Sequence, residues 1–418
     1  MIFVIRTVFI VLFYSLISAV TANSQETSTW PCFHGQDRSN KSTETGLLNQ
    51  WPEDGPGLLW SVSGLGEGYS TVSVDKGLIY TAGMNNKQTM VYAFNLEGEI
   101  QWQQSNGTAW ETTKSWASSY TGARSTPTVD NSVIYHLGET GRLVSLAAKT
   151  GEPIWSMELR ERFDAEEPEY GYSESVLIDG ENLYCSPAGK KGFLVCLNKK
   201  TGDLIWTNTD ISGSVGFSSH IIADYGGYHQ IIGMSSNSVY GVDAVKGDLL
   251  WTFPYENKRS LNIPDPIFYQ GHVFITSGYG KGSALIKLKL SENKIIPEII
   301  WQTPIMDNHH GGVVLLNGYL YGSGDEKRGW YCLDIMTGEP QWKAAGKGSL
   351  TYAENMLYCL EEKGTMRLIK ASAQSFEEVS AFEVPEGGKG MYWAHPVVCG
   401  GRLYIRHTDK LFAYSIKD

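Results

Sequence analysis

Hydrophobic positions in this chain do not fall at helical spacing. They come in short runs in which apolar and polar side chains alternate, bounded by Gly, Asn and Asp, and that period of two predicts β-strands throughout. One pattern recurs: an alternating strand runs into a tight turn and then into a strand that carries a tryptophan. SLAAKTGEPIW ends at Trp155, CLNKKTGDLIW at Trp206, GVDAVKGDLLW at Trp251 and CLDIMTGEPQW at Trp342, with a degenerate copy, AFNLEGEIQW, ending at Trp102. Trp60 and Trp301 hold the same place and Phe382 takes the last one, so the intervals are 42, 53, 51, 45, 50, 41 and 40 residues. In the turns an Asn or Asp side chain can bond its own backbone, and Gly98, Gly151, Gly202, Gly247 and Gly338 supply the positive φ that follows. The large apolar face of each tryptophan is placed to wedge between neighbouring units.

A second strand precedes each tail, visible as GLIYTAG, NSVIYHLG, ENLYCSP, GHVFITSG, GYLYGSG, ENMLYCL and GRLYIRH, with YHQIIGM filling the remaining copy. Self-similarity at this period points to a ring of blades rather than to separate domains. Eight copies of the second strand stand against seven complete tails, because the chain ends just after the third strand of the last copy. The expected fold is therefore all-β, an eight-bladed β-propeller of four-stranded antiparallel blades spanning residues 58–418. Its last blade would be closed by an N-terminal strand, residues 58–62, pairing with 410–416 and removing the open edges of the ring.

Ahead of the ring lie residues 1–22, with Arg6, an apolar run from Val8 to Val20 and a Val-Thr-Ala end, and then residues 23–57. The first stretch reads as a signal peptide cleaved after Ala22, which implies a periplasmic or secreted protein with no later membrane span. Removing Arg6 takes the formal net charge from −11 to −12. Such an acidic body argues against binding a phosphate backbone. An exported chain permits disulfides, and Cys185 and Cys196 flank the short turn AGKKG where a hairpin could set them opposite each other; buried free thiols are the alternative.

In a propeller the loops entering the innermost strands converge on one mouth of the central channel. Here those strands would be GYSTVSV, GARSTPTV, YSESVLI, FSSHIIA, NIPDPIF, HHGGVVL, KGSLTYA and YWAHPVV. Their entry residues make a polar funnel of Tyr69, Arg124, Tyr172, Glu174, His220, Asn262, Asp265, His309, His310, Lys347, Trp393 and His395, with Glu67 and Ser218 beside them. Such a set suits a small molecule or a metal. Adjacent His309 and His310 on a strand would face opposite sides, leaving one to join His220 or His395 as a ligand. Glu174, Asn262 and Asp265 offer oxygens for Ca²⁺, and Arg124 and Lys347 could grip a carboxylate or phosphate. Two long connections, after Trp102 and after Trp155, lie on the same face, and Trp110 and Trp116 in the first offer an apolar or sugar-stacking surface or a packing lid.

The repeated tail, Leu-x-Asp/Asn-x-x-Thr-Gly-x-x-x-Trp, resembles the repeat of quinoprotein dehydrogenases and of PQQ-like outer-membrane assembly factors over about residues 58–418. PCFHGQDRSNKSTETGLLNQWPEDGPGLLW is similar to the entry segment of exported bacterial PQQ-like propellers. The resemblance implies one of two functions. One is a binding or scaffold protein of the envelope, engaging an envelope protein or a small ligand. The other is an oxidoreductase acting on an alcohol or sugar with PQQ and Ca²⁺, in which Asp265 would be the base, Arg124 or Lys347 would polarise the quinone oxygens, and Glu174 with Asn262 would hold the metal. The adjacent Cys-Cys pair common in those enzymes does not occur here.

Overall fold

In a computed structural model of the chain, residues 28–417 are described apart from 113, 115, 116, 118, 119 and 293. The expected signal peptide and Trp116 lie outside the described residues. Eight sheets, antiparallel within each blade, surround a central channel, forming an eight-bladed propeller in which the first seven blades run from an inner to an outer strand in chain order. The inner strands are short: Ser73–Asp75, Thr128–Asp130, Leu177–Asp179, Ile221–Tyr225, Ile267–Tyr269, Val313–Leu316, Gly348–Ala353 and Val397–Cys399. In the last blade Gly57–Val62 is the outer strand, antiparallel to Lys410–Ser415, with Trp60 opposite Ala413 and Ser61 opposite Phe412. Among the described residues one short α-helix occurs, Leu159–Phe163, in the connection after Trp155, and it buries Leu159 and Phe163.

The repeated tail works across blade boundaries. Trp102 donates its indole N–H to the carbonyl of Ala148 in the next blade at 2.9 Å; Trp155 does the same to Lys199 at 2.9 Å and Trp301 to Ile335 at 2.9 Å. Each ring lies flat on the turn glycine of the following blade. A Cβ on Gly151 would come within 2.6 Å of Trp102, and Gly151 also sits at φ +72°, so the position excludes a side chain twice over. Seven outer strands carry a register shift next to the tryptophan, which turns that ring toward its neighbour; in the seventh blade the shift lies between Glu378 and Ser380, so Ser380 rather than the expected Phe382 holds that place. Trp251 and Trp342 are the exceptions to the glycine contact: the turn that meets Trp342 has no glycine, and that ring packs against the edge of Phe376. The fifth blade replaces the glycine turn with a long hairpin, Gly282–Ser291 and Lys294–Thr303, and Trp251 instead bonds Gln230 Oε1 of its own blade at 2.8 Å.

The expected Cys185–Cys196 disulfide is not formed, and all six cysteines are free and buried. In the hairpin Cys185 stands opposite Val195 and Cys196 opposite Tyr184. That one-residue offset puts the two thiols on opposite faces of the sheet, each packed against a different neighbouring blade.

The stretch before Gly57, which the repeat pattern leaves outside the ring, is built into the channel. Trp30 bridges Val74 of the first inner strand, the Pro31 carbonyl accepts Val129 N–H, and the Arg38 guanidinium caps the carbonyls of Ser175 and Val176. Lys41–Ser42 then pairs in parallel with Gly348–Ala353 across the ring. One segment thus reaches the first, second, third and seventh blades and closes the channel from within.

Candidate functional site

The residue two places ahead of the inner strand has the same job in successive blades. Thr71 N–H donates to Thr126 Oγ1 at 3.2 Å, Thr126 N–H to Ser175 Oγ at 2.9 Å, Ser175 N–H to Ser219 Oγ at 3.0 Å, and Ser219 N–H to Asp265 Oδ1 at 2.6 Å. On the other side Thr71 Oγ1 donates to the His395 carbonyl at 2.6 Å. This girdle binds the first five blades and the eighth around the axis. In the sixth blade the same place is Gly311, and the gap is filled from the N-terminal segment. His34, at φ +66°, sets Nε2 3.0 Å from His395 Nδ1 and Nδ1 3.2 Å from Asp265 Oδ2, while His395 Nε2 donates to the His310 carbonyl at 2.6 Å.

Above this floor lies a cavity of about 560 Å³, open at one mouth of the channel. Of the twelve residues expected in the funnel, Tyr69, Arg124, Asp265, His309, His310, Trp393 and His395 line it. Tyr172, Glu174, His220, Asn262 and Lys347 do not, and the alternation of an extended chain explains most of the misses. Ser173 and Ser175 face the cavity, so Tyr172 and Glu174 face away; Ser219 faces it, so His220 does not. Tyr172 bonds the Pro187 carbonyl at 2.8 Å, and the Asn262 amide is spent on the carbonyls of Ser235 and Tyr255. Ser186 Oγ, His220 and Glu174 stand in the order of a hydrolase triad, 3.1 and 3.6 Å apart, but all three are buried behind the wall where no substrate reaches them. Burial there pushes Glu174 up to about 7 and His220 down to about 3.

The cations are also committed. Arg124 donates to the carbonyls of Tyr120 and Tyr170 and lies over the Trp110 ring at 5.1 Å, which makes Trp110 part of a packed latch. Lys347 is clamped by Asp325 at 2.7 Å and Glu362 at 2.8 Å. His309 and His310 sit in a loop rather than on a strand, and their rings lie together, 3.7 Å between centroids, both on the cavity wall rather than on opposite faces. Asp307 holds that loop by accepting the backbone N–H groups of Gly280, Asp325 and Glu326. His310 stacks on Trp393 at 3.9 Å. Burial lowers His309 to about 4 and His395 to about 3, so these imidazoles are neutral near pH 7.

The cavity is more aromatic than the expected polar funnel. Phe33, Tyr120, Tyr170, Phe217 and Tyr279 line it, and sequence reasoning missed all of them, with His34, Ser175 and Ser219. Tyr120 and Tyr170 come from the two long connections, a usable signal; Phe33 and His34 come from a segment without repeat character.

A calcium-bound quinone does not fit these residues. Asn262 and Glu174 are turned away from Asp265, and no group of three His, Cys, Asp or Glu able to hold a metal occurs among the described residues. PQQ is a polycarboxylate, and the cations expected to receive it, Arg124 and Lys347, are already neutralised or hydrogen-bonded by the protein.

The family model described as outer membrane protein assembly factor BamB matches residues 87–344. Among solved structures the chain is similar to BamB from Moraxella catarrhalis, at 14% identity and a TM-score of 0.59, covering 86% of this chain and 97% of that one. A europium-containing methanol dehydrogenase follows at 10% identity and 0.52, covering 91% and 89%. A quinohemoprotein alcohol dehydrogenase from Comamonas testosteroni stands at 11% and 0.51, covering 94% and 81%. At these identities the likeness is one of fold. No curated protein matches the sequence.

Proposed function

The chain belongs to the family described as outer membrane protein assembly factor BamB, and from that premise we propose that it is a non-catalytic binding propeller of the bacterial envelope whose cavity holds a small molecule. The observation that carries this reading is the closed floor. A propeller channel left open is a wet passage, whereas here Phe33 and His34 convert it into a cup of about 560 Å³, within the roughly 300–1,000 Å³ of small-molecule sites. The polar groups that would do chemistry are instead used to hold the cup together: Asp265 in the girdle, Arg124 in the latch, Lys347 in an ion pair. Envelope placement is supported by the family, and no helix among the described residues is long and apolar enough to cross a membrane.

Outer strands also carry exposed apolar side chains, among them Leu58, Ile100 and Ile154, which supports a scaffold role toward envelope proteins.

The test is a small-molecule screen on the purified protein by thermal shift and tryptophan fluorescence, alongside reconstitution with PQQ and Ca²⁺ and dye-linked oxidation of alcohols and sugars. Saturable binding without turnover is expected. Quinone-dependent turnover would overturn the reading in favour of the dehydrogenase.

A further inference from the structure

We infer that the cavity takes an apolar molecule bearing a single carboxylate, with the carboxylate at the mouth on Arg259 and the apolar body inside the cup; this rests on the binding-propeller reading above and names its ligand class. The lining carries two guanidinium groups, Arg124 and Arg259, and two carboxylates, Glu169 and Asp265. Three of the four are spent. Arg124 donates to carbonyls, Glu169 is paired with Lys114 at 2.8 Å, and Asp265 is enclosed between Ser219 N–H and the His34 imidazole. Arg259 is exposed, and its guanidinium makes no ion pair or hydrogen bond among the described residues, whereas Lys258 beside it is paired with Glu326. A free guanidinium at the mouth of a cup attracts an anion, and a carboxylate takes two of its N–H donors in parallel.

The turn that presents Arg259 is braced from below. Buried Asn257 accepts the backbone N–H groups of Arg259 and Leu261 at 2.8 and 3.2 Å and donates to the Leu261 carbonyl and Ser277 Oγ at 2.5 and 2.7 Å. Tyr170 and Tyr279 both lie within reach of the Arg259 charge, and Tyr120 meets Tyr170 edge to face at 6.4 Å. The phenol hydroxyls of Tyr120 and Tyr279 have no partner among the described residues and are not enclosed, so both are open to donate to the same anion. From the turn the chain runs inward through Leu261, Ile263 and Pro264 to Asp265 at the floor, and Phe33 and Phe217 complete an apolar wall. Charge therefore orients the ligand: a carboxylate at the floor would meet Asp265, and one at the mouth meets Arg259. An ammonium group is repelled by Arg259, and a polycarboxylate would need further free cations, which the described lining lacks.

The experiment is isothermal titration calorimetry of the purified protein with naphthoate, phenylbutyrate and decanoate, with the uncharged amide of each, and with naphthylmethylammonium, citrate and PQQ as probes of other charge. At least one monocarboxylate is expected to bind, roughly tenfold or more tighter than its amide. Arg259→Gln should weaken that carboxylate to the level of the amide and leave the amide unchanged, while Phe217→Ala should weaken acid and amide alike. Melting curves on each variant separate lost binding from lost fold, and the wild-type comparison of acid with amide does not depend on them. An amide bound as tightly as its acid, a carboxylate bound equally well by Arg259→Gln, or a ligand indifferent to Phe217→Ala would overturn the assignment. Tighter binding of the ammonium, citrate or PQQ, or a screening hit when no monocarboxylate binds, would overturn it too and leave the cavity as a ligand site. Failure of every probe and every screened compound to bind would overturn both this inference and the binding-propeller reading.

Discussion

Nε2 of His34 lies 3.0 Å from Nδ1 of His395, a contact between residues 361 positions apart that joins the segment ahead of the ring to its last blade. Both side chains are almost fully buried, so neither nitrogen can turn to water if the other is lost. His34→Ala is therefore expected to lower stability by about 1–3 kcal/mol, the cost of an unsatisfied buried polar group. Urea denaturation of the variant measures it, and an unchanged midpoint would show that the N-terminal segment is held without this contact.

Acid should unfold the protein well before its carboxylates are titrated. Burial lowers His136 and His309 to about 4 and His220 and His395 to about 3, from 6.5. Between pH 6.5 and 4 the unfolded chain binds protons that the folded chain refuses. The stability from these groups is fully present above pH 6.5 and drains away as pH falls through the folded values. Glu174, raised to about 7, has the opposite sign, since its folded state keeps a proton that the unfolded chain releases near 4.5. Burial lowers His310 and His407 as well, while burial raises Glu139 and hydrogen bonds to Asp179 and Asp224 raise His229, so three groups stand against six and the net slope is toward acid instability. Calorimetry from pH 4 to 8 should show the melting temperature falling below pH 6.5, and His309→Gln should reduce the slope by up to about 1.4 kcal/mol per pH unit.

Two glycines separate backbone strain from packing. Gly77, at φ +78°, has open space where a Cβ would go, whereas Gly151, at φ +72°, carries the Trp102 ring there. Gly77→Ala should cost about 1–2 kcal/mol from the left-handed backbone alone. Gly151→Ala should cost about 1–3 kcal/mol more, because the ring has to move out of the blade interface. Equal losses in the two variants would mean that the tryptophan contact contributes little.

With the six thiols free, reductant should not shift the melting temperature. Thiol titration should find six reactive groups after unfolding and essentially none before, because every one is buried. A count of four in denaturant without reductant would restore a disulfide.

What the sequence determined by itself is the ring: the tryptophan interval, the turn glycines and the aromatic second strand are local features, repeated because each blade meets the same neighbour geometry. Alternation along the strands was legible as well, but its phase was not. Whether Ser175 or Glu174 faces the channel depends on where the short inner strand is anchored, and a shift of one residue exchanges the two faces. Long-range packing fixed that phase, set Cys185 and Cys196 on opposite faces, and brought the non-repeating PCFHGQDRSN segment through the axis. That segment turns locally through bonds such as Asn40 N–H to the His34 carbonyl, but its place in the channel comes from distant residues: Phe33 and His34 acquire a role only once eight blades have placed Asp265, Gly312 and His395 around them.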